Sequence, residues 1–372
     1  MVGPLEQPSI RGRGADHNPS NRFERIHLED DPEFVEQCRA ARADNFEGAV
    51  PSPPTLLFDD PSRAILSTNE SPDVGFDVSL NPYRGCEHGC SYCYARPTHE
   101  YLGFSAGLDF ETRIFAKRRA PQLLRAALSR PCWSPQVIAI GGVTDGYQPA
   151  ERRLGLTRRC LEVLVEFRNP VAIVTKSALV TRDADLLGEL AGLGAASVSL
   201  SITTLDRNLH RRMEPRAATP ERRLAAVEEL SRAGIPVNVM VAPVIPGLND
   251  HEIPAILGAA ARAGARSARY VMLRLPHGVE ALFEAWLARH YPERQAKVLG
   301  QLRDVRGGSL NDSRFHSRMR GRGPRAEQVH ALFNLSCRRE GLSTKQMTLS
   351  HENFRRTRNE QMSFFASEEE LR

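Results

Sequence analysis

The sequence predicts an α/β protein built on a partial parallel barrel of six strand–helix units. It also predicts an irregular amino-terminal extension and a helical carboxyl-terminal region. Three observations lead to this fold: strand-length apolar runs containing β-branched residues recur along the chain, amphipathic helical segments lie between them, and the rhythm stops after about residue 275. Strands that alternate with helices indicate a parallel sheet, and six units are too few for a closed eight-stranded barrel.

The first strand is expected at residues 76–80, and the others follow at 137–140, 171–174, 198–202, 237–241 and 270–273. The connecting helices are expected at 157–167, 184–193, 220–233 and 251–263. Thr219 followed by Pro220 is typical of a helix start, and Gly234 suits the end of the same helix. The carboxyl ends of the strands should therefore meet at one edge of the sheet, where such folds place their chemistry.

Three regions are predicted around this pattern. Residues 1 to about 70 are an extension, Pro-rich and partly irregular, with one short helix at 31–43. The core barrel occupies 71–275. The remaining region, 276–372, should contain helices at 279–290, 293–305 and 325–339 before a polar tail.

Composition indicates a folded protein in a reducing compartment. The chain has 372 residues, of which 41% are hydrophobic and 26% charged, and no apolar run approaches the roughly 20 residues that a membrane span needs. Its first residues lack the apolar stretch of a secretory signal, and seven cysteines do not suggest a disulfide framework. We therefore expect a cytoplasmic protein without a membrane partner.

Three of the seven cysteines stand within eight residues, as Cys86, Cys90 and Cys93. Three thiolates from one short loop can each bind a different iron of a [4Fe-4S] cluster, which leaves the fourth iron open. The alternative is a structural zinc site that adds one imidazole, from His88 or His99. The spacing, with three and then two residues between the cysteines, favours the cluster.

Tyr92 precedes the third cysteine, and with it the run resembles the C-x3-C-x-Φ-C signature of the radical S-adenosylmethionine (SAM) superfamily, in which Φ is aromatic. The resemblance implies that Cys86, Cys90 and Cys93 ligate a [4Fe-4S] cluster and that SAM binds its open iron. One electron then cleaves SAM to a 5'-deoxyadenosyl radical, which abstracts hydrogen from the substrate. Tyr92 is expected to pack near the adenine.

Polar residues at other strand ends are candidates for holding SAM. Gly141 and Gly142 offer approachable backbone groups, and the run resembles the superfamily's motif for the methionyl amine. The usual glutamate is absent, so Thr144 or Asp145 would substitute for it.

Further strand ends supply a cation for the methionyl carboxylate and groups for the ribose hydroxyls. The candidates are Lys176, Ser201, Glu214 and Arg216. A structural role is the alternative for each of these residues.

Several blocks, among them residues 81–86 and 174–176, resemble the spore photoproduct lyase-like branch, also called DNA repair photolyase-like, and an uncharacterised bacterial subgroup of it. Spore photoproduct lyases carry a hydrogen-donating cysteine where this chain has Gly142, so dimer repair is not implied. Tyr147 and Cys132 are the candidate catalytic residues, although either can be structural. Cys160 lies in an apolar helical pattern and is expected in the core.

The expected function is therefore radical SAM chemistry on an unknown substrate. The photolyase-like resemblance and arginine-rich segments at 207–223 and 303–325 favour a nucleic acid or a nucleotide. An electron donor of the flavodoxin or ferredoxin type is implied as a partner. The alternative function is a zinc-stabilised nucleic-acid-binding protein without catalysis.

Overall fold

Six parallel strands form the centre of the protein within the part that the structure describes. This computed structural model describes residues 10, 12–24 and 53–356, so the helix expected at 31–43 lies outside the described residues. The parallel strands belong to a seven-stranded sheet made of β2 (Leu66–Thr68), β3 (Val78–Leu80), β6 (Ile138–Ile140), β7 (Val171–Thr175), β8 (Ala196–Ser201), β9 (Val237–Val244) and β10 (Ser267–Met272). Their order in the sheet is β10-β9-β8-β7-β6-β3-β2.

All six predicted strands are present, and each pairs in parallel with its neighbour in the sheet. Only β2, which pairs antiparallel with β3 at the sheet edge, departs from this orientation. Predicted and observed strand bounds differ by a few residues at most. The prediction of a partial parallel α/β fold is confirmed.

A second, small sheet precedes the barrel helices and was not predicted. It contains β1 (Leu56–Asp59), β5 (Arg113–Ala116) and β4 (Tyr83–Arg84), in the order β1-β5-β4. The segment that we expected to be irregular therefore supplies two strands, β1 and β2, to two sheets. Both are short and lie largely at the surface, so their sequences carry no clear apolar alternation.

Helices follow the strands as expected. The α-helices of the described residues are α1 (Leu108–Thr112), α2 (Ala120–Leu128), α3 (Glu151–Leu154), α4 (Leu156–Phe167), α5 (Ala184–Gly192), α6 (Arg207–Met213), α7 (Pro220–Arg232), α8 (Ile253–Arg262), α9 (Val279–His290), α10 (Pro292–Arg306), α11 (Ser317–Arg320) and α12 (Gly323–Arg339). Short 3-10 segments cover Arg96–Leu102, Ala178–Asp183 and Asp250–Glu252. The last of these replaces the first turn of the helix that we expected from residue 251.

The core lies between the sheet and its helices. Along β7, Val171, Ile173 and Thr175 are buried while the residues between them are half-buried, and β8 shows the same alternation. Leu164 of α4 and Val227 of α7 are fully buried against this face. The half-buried face carries a polar ladder, in which the Asn238 side chain donates to Ser199 and accepts from Ser267. No helix in the described part is both long and apolar enough to cross a bilayer.

Replacing Leu200 by alanine should lower the free energy of unfolding by about 2–5 kcal/mol, because Leu200 is fully buried in β8 and its loss leaves a cavity. Urea unfolding of the full chain measures this. Leu335→Ala is the matched control: Leu335 is 58% exposed on α12, so its removal should change stability by less than about 0.5 kcal/mol. Equal losses in the two variants would contradict the core described above.

Candidate active site

The three cysteines lie in one loop, residues 85–95, which we call the cysteine loop. It leaves the small sheet after β4 and is fixed to two other parts of the chain. The Cys86 N–H donates to the Phe110 carbonyl at 2.9 Å, and the Ser91 N–H donates to the Met213 carbonyl at 3.0 Å. Gly89 adopts a positive φ of 64°, which few other residues would accept in this tight turn. The loop is therefore held in one conformation.

A buried ion pair contacts the cysteine loop and stabilises it. Arg96 and Glu111 pair with both side chains 0% exposed, and Arg96 also donates to the Cys90 carbonyl through Nε at 3.0 Å and Nη2 at 2.8 Å. Glu111 accepts the backbone N–H groups of Gly14 and Ala15 at 3.0 and 2.8 Å. The amino-terminal segment thus packs on the loop, a role that sequence reasoning missed.

The thiols of the loop are available as ligands. Cys86, Cys90 and Cys93 form no disulfide, and the first two are each 7% exposed. Burial raises the pKa of Cys86 and of Cys90, and nearby carboxylates add to the effect. Thiolates in such surroundings need a positive partner, which a bound metal supplies.

Neither histidine that was considered for a zinc site is placed to join the cysteines. The Nδ1 atom of His88 lies 3.3 Å from Asp145 Oδ2. His99 is fully buried among the rings of Phe104, Phe110 and Phe115. Within the described residues, no three His, Cys, Asp or Glu side chains converge as they would around a single ion.

Tyr92 connects the cysteine loop to the sheet through Glu214. The Tyr92 hydroxyl donates to Glu214 Oε1, which also accepts from Thr203 at 2.6 Å, and Arg223 pairs with Glu214 Oε2. Although burial favours the neutral acid, the charges of Arg223 and Lys176 lower the pKa of Glu214 to about 2. Glu214 is 0% exposed and is therefore a buried carboxylate held by three donors.

Asp145 also connects the cysteine loop to the sheet, through His88 and the end of β7. Its carboxylate accepts the Thr175 hydroxyl at 2.7 Å, the Lys176 N–H at 2.8 Å and the Tyr147 N–H at 2.9 Å. Although burial opposes ionisation, His88 and these donors lower the pKa of Asp145 to about 2. Thr144 is also engaged, since its hydroxyl donates to the Tyr83 carbonyl at 2.9 Å.

The two glycines after β6 differ in their surroundings. Gly141 has a φ of 96°, and a Cβ there would lie 2.0 Å from the Val174 carbonyl oxygen. At Gly142 a Cβ would have no atom nearer than 3.7 Å. The Gly142 carbonyl instead accepts a hydrogen bond from the Tyr94 hydroxyl. Sequence reasoning did not single out Tyr94, which stands beside the third cysteine.

Lys176 and Ser201 have the polar groups that remain free at the strand ends. The Lys176 ammonium lies 5.8 Å from the centre of the Tyr92 ring and forms no hydrogen bond or ion pair with the described residues. Although burial opposes its charge, Cys90 and Glu214 raise the pKa of Lys176. The Ser201 hydroxyl, at the end of β8, is also uncommitted among the described residues.

The remaining predicted site residues lie in different surroundings. Arg216 pairs with Glu87 of the cysteine loop at 3.2 Å, and both residues line a cavity of about 460 Å³. Tyr147 is 1% exposed and packs in the hydrophobic core, and its role as a catalytic residue stays a prediction. Cys132 is an exposed free thiol that precedes the amino end of β6, and its role as a catalytic residue also stays a prediction. Cys160 is buried in the core, as expected.

The cysteine loop meets polar strand ends at the carboxyl edge of a parallel sheet, which is the edge where α/β enzymes of this architecture place their active sites. The family model of the radical SAM superfamily matches residues 80–260. A Mycobacterium tuberculosis protein described as uncharacterised is 41% identical over 259 residues, which cover 68% of this chain and 74% of the relative. The chain belongs to the radical SAM superfamily, and it is an enzyme of that superfamily.

More distant relatives and solved structures agree with this assignment. A radical SAM Nalpha-GlyT isomerase of Pseudomonas phage M6 is 28% identical over 177 residues, covering 47% of this chain and 35% of the relative. Spore photoproduct lyase complexed with dinucleoside spore photoproduct superposes with a TM-score of 0.56 at 14% identity, covering 78% of this chain and 82% of the lyase. At this identity the likeness shows the fold, which confirms the predicted barrel class.

Replacing Glu214 by glutamine should destabilise the protein by about 3–5 kcal/mol at pH 7, because it leaves the buried Arg223 without its charge partner. The pKa of Glu214 is lower in the folded state than the ordinary value of 4.5. The stabilisation is therefore fully present above that value and is lost as pH falls towards about 2. Urea unfolding between pH 7 and 2 should show the difference between wild type and variant shrinking.

Glu221→Gln is the control for this variant. Glu221 also pairs with an arginine, Arg207, but the two side chains are 48% and 78% exposed. Its replacement should cost less than about 1 kcal/mol. A stability difference for Glu214→Gln that does not change with pH would contradict the buried carboxylate.

Replacing Gly141 by alanine should cost at least about 2 kcal/mol, since the new Cβ would meet the Val174 carbonyl at a backbone angle that alanine disfavours. Gly142→Ala should be tolerated, because space is open there. Thermal unfolding of the two variants side by side measures the contrast. Equal melting temperatures would refute the close approach of β6 and β7.

Proposed function

We propose that Cys86, Cys90 and Cys93 hold one [4Fe-4S] cluster, that SAM binds its open iron, and that the enzyme generates a 5'-deoxyadenosyl radical for hydrogen abstraction from a nucleic acid or nucleotide. An electron donor of the flavodoxin or ferredoxin type would reduce the cluster. Membership of the radical SAM superfamily supports the cofactors.

The observation that carries the proposal is the cysteine loop itself. Its three free thiols lie in one fixed loop at the carboxyl edge of the sheet, and neither His88 nor His99 is positioned as a fourth ligand. A cluster with three protein ligands fits this donor set, because each sulfur binds a different iron. A closed zinc site needs four ligands around one ion and fits it poorly.

When bound, the cluster would supply one electron that cleaves SAM to methionine and a 5'-deoxyadenosyl radical, and this radical takes one hydrogen atom from the substrate to give 5'-deoxyadenosine and a substrate radical. The chain's own residues would bind and orient the SAM molecule. Lys176 offers the free ammonium for its carboxylate, and Ser201 offers a hydroxyl for its ribose. Gly141 and Gly142 would present backbone groups to its amine.

Glu214, Asp145 and Thr144 would act mainly by positioning. Glu214 fixes the Tyr92 ring on which the adenine would pack. Asp145 holds the backbone of Lys176 at the end of β7. Thr144 ties the turn after β6 to the strand that leads into the cysteine loop. All three side chains are already hydrogen-bonded, so direct contact with SAM would require them to exchange partners.

A nucleotide or nucleic acid substrate is supported by one solved neighbour and by charge. A mutant spore photoproduct lyase with bound AdoMet and dinucleoside spore photoproduct shares the fold, with a TM-score of 0.53. Arginines cluster near the carboxyl end of β10, where a polyanion would be attracted. The chain has Gly142 where those lyases are expected to carry a donor cysteine, so we do not propose thymine-dimer repair.

Replacing Cys90 by alanine should abolish the cluster, because two thiolates cannot hold a cube with three protein ligands. Wild-type protein reconstituted anaerobically with iron and sulfide should contain about four irons and four sulfides per chain and form 5'-deoxyadenosine from SAM with dithionite. Cys160→Ala, which removes a core thiol, is the control and should keep the cluster. Stoichiometric zinc, or a loaded cluster that never cleaves SAM, would refute the proposal.

A further inference from the structure

Six arginines stand near the carboxyl end of β10, where they lie at or beside the mouth of the barrel. We call them the arginine rim: Arg274, Arg306, Arg314, Arg318, Arg320 and Arg322. Two carboxylates in this region, Asp73 and Asp312, pair with members of the rim. The rim therefore carries more positive than negative charge, and its unpaired members are candidates for binding an anion.

Most of the rim is already committed to the protein. Arg318 pairs with Asp73, and Arg314 binds Asp312 through two hydrogen bonds of 2.9 and 3.1 Å. Arg322 lies 3.8 Å from the same aspartate. Arg306 is buried and donates to backbone carbonyls, including that of Met272 at 3.1 Å. These arginines hold the loop over β10.

Arg274 and Arg320 form neither an ion pair with a described carboxylate nor a hydrogen bond to a backbone carbonyl, and Arg320 is exposed whereas Arg274 is partly buried. The Arg274 guanidinium carbon lies 5.2 Å from the centre of the Tyr94 ring, and Nη1 lies 3.7 Å from the Met319 sulfur. Its Nε is buried and has no hydrogen-bond partner. Burial and the charge of Arg318 lower the pKa of Arg274, although a guanidinium remains charged at neutral pH. An anion at this point would remove the cost of an unpaired, partly buried charge.

Tyr94 places Arg274 beside the proposed reaction centre. Tyr94 directly follows Cys93, and its hydroxyl donates to the carbonyl of Gly142. Gly142 follows β6, whereas Arg274 follows β10, so Tyr94 spans the opening between the two strand ends. A group bound to Arg274 would lie beside the cysteine loop.

We infer that Arg274 binds a phosphate of the substrate and so selects phosphate-bearing nucleotides over uncharged analogues. The inference rests on the proposed nucleotide function. A guanidinium binds a phosphate through two parallel hydrogen bonds, and the contact with the Tyr94 ring holds the Arg274 guanidinium beside the cysteine loop.

The test compares two labelled tetrathymidylates, one with phosphodiester linkages and one with uncharged methylphosphonate linkages. Binding to the anaerobically reconstituted full chain is measured by fluorescence anisotropy. Arg274→Gln should raise the Kd for the phosphodiester about tenfold, because a charge-assisted contact is lost, and should leave the Kd for the methylphosphonate unchanged. Arg274→Lys, which keeps the charge but not the two-point contact, should lose part of this affinity.

Arg314→Gln is the matched control, since it removes a rim charge that Asp312 already neutralises. It should change either Kd by less than about twofold. If Arg274→Gln does not fold, as judged by its melting temperature, the lysine variant carries the test. The inference is overturned if an Arg274 variant behaves like Arg314→Gln, or if it weakens the binding of both ligands equally. In either case, binding of the phosphodiester by the wild type would leave the proposed nucleotide function standing. Failure of the wild type to bind either ligand overturns both, whereas formation of 5'-deoxyadenosine would still show radical SAM activity.

Discussion

The buried carboxylate of Glu214 is the interaction on which the site depends. It receives Tyr92 from the cysteine loop, Thr203 from the end of β8 and Arg223 from α7, so three separate parts of the chain meet at one side chain. A buried charge is stable only when its partners surround it. The position of the cysteine loop relative to the sheet is therefore fixed by the same contacts that keep Glu214 ionised.

Charge is distributed around this point in a way that suits the carboxylate group of SAM and the anionic substrate that we propose. The buried carboxylates are paired within the protein. Glu214 pairs with Arg223 and Glu111 with Arg96, while Asp145 accepts hydrogen bonds from backbone and hydroxyl donors. Lys176 and Arg274, which lie beside tyrosines of the cysteine loop, form no ion pair with a described carboxylate. The first approaches the Tyr92 ring and the second the Tyr94 ring, so both face the cysteine loop and can receive negatively charged groups there.

The parallel strands could be predicted from the sequence, because each is an apolar run with β-branched residues that lies between helices. The helix ends are recognisable, as Thr219 and Pro220 illustrate. Strands β1 and β2 could not be predicted from the sequence, because they are short and lie largely at the surface. Burial could not be predicted from nearness in sequence either: Tyr147 follows the glycine motif, and its side chain is buried in the core. The pairing of Arg96 with Glu111 depends on the folded path of the chain, and no spacing rule indicates it.

The central claim is that the cysteine loop supplies three ligands to a cluster and leaves one iron open to SAM. The most direct measurement is electron–nuclear double resonance of the reduced, reconstituted protein with SAM whose carboxylate carries a magnetic oxygen isotope. The account predicts a strong coupling between that oxygen and the cluster, because the carboxylate would bind the open iron. A reduced cluster whose spectrum is unchanged by labelled SAM would contradict it.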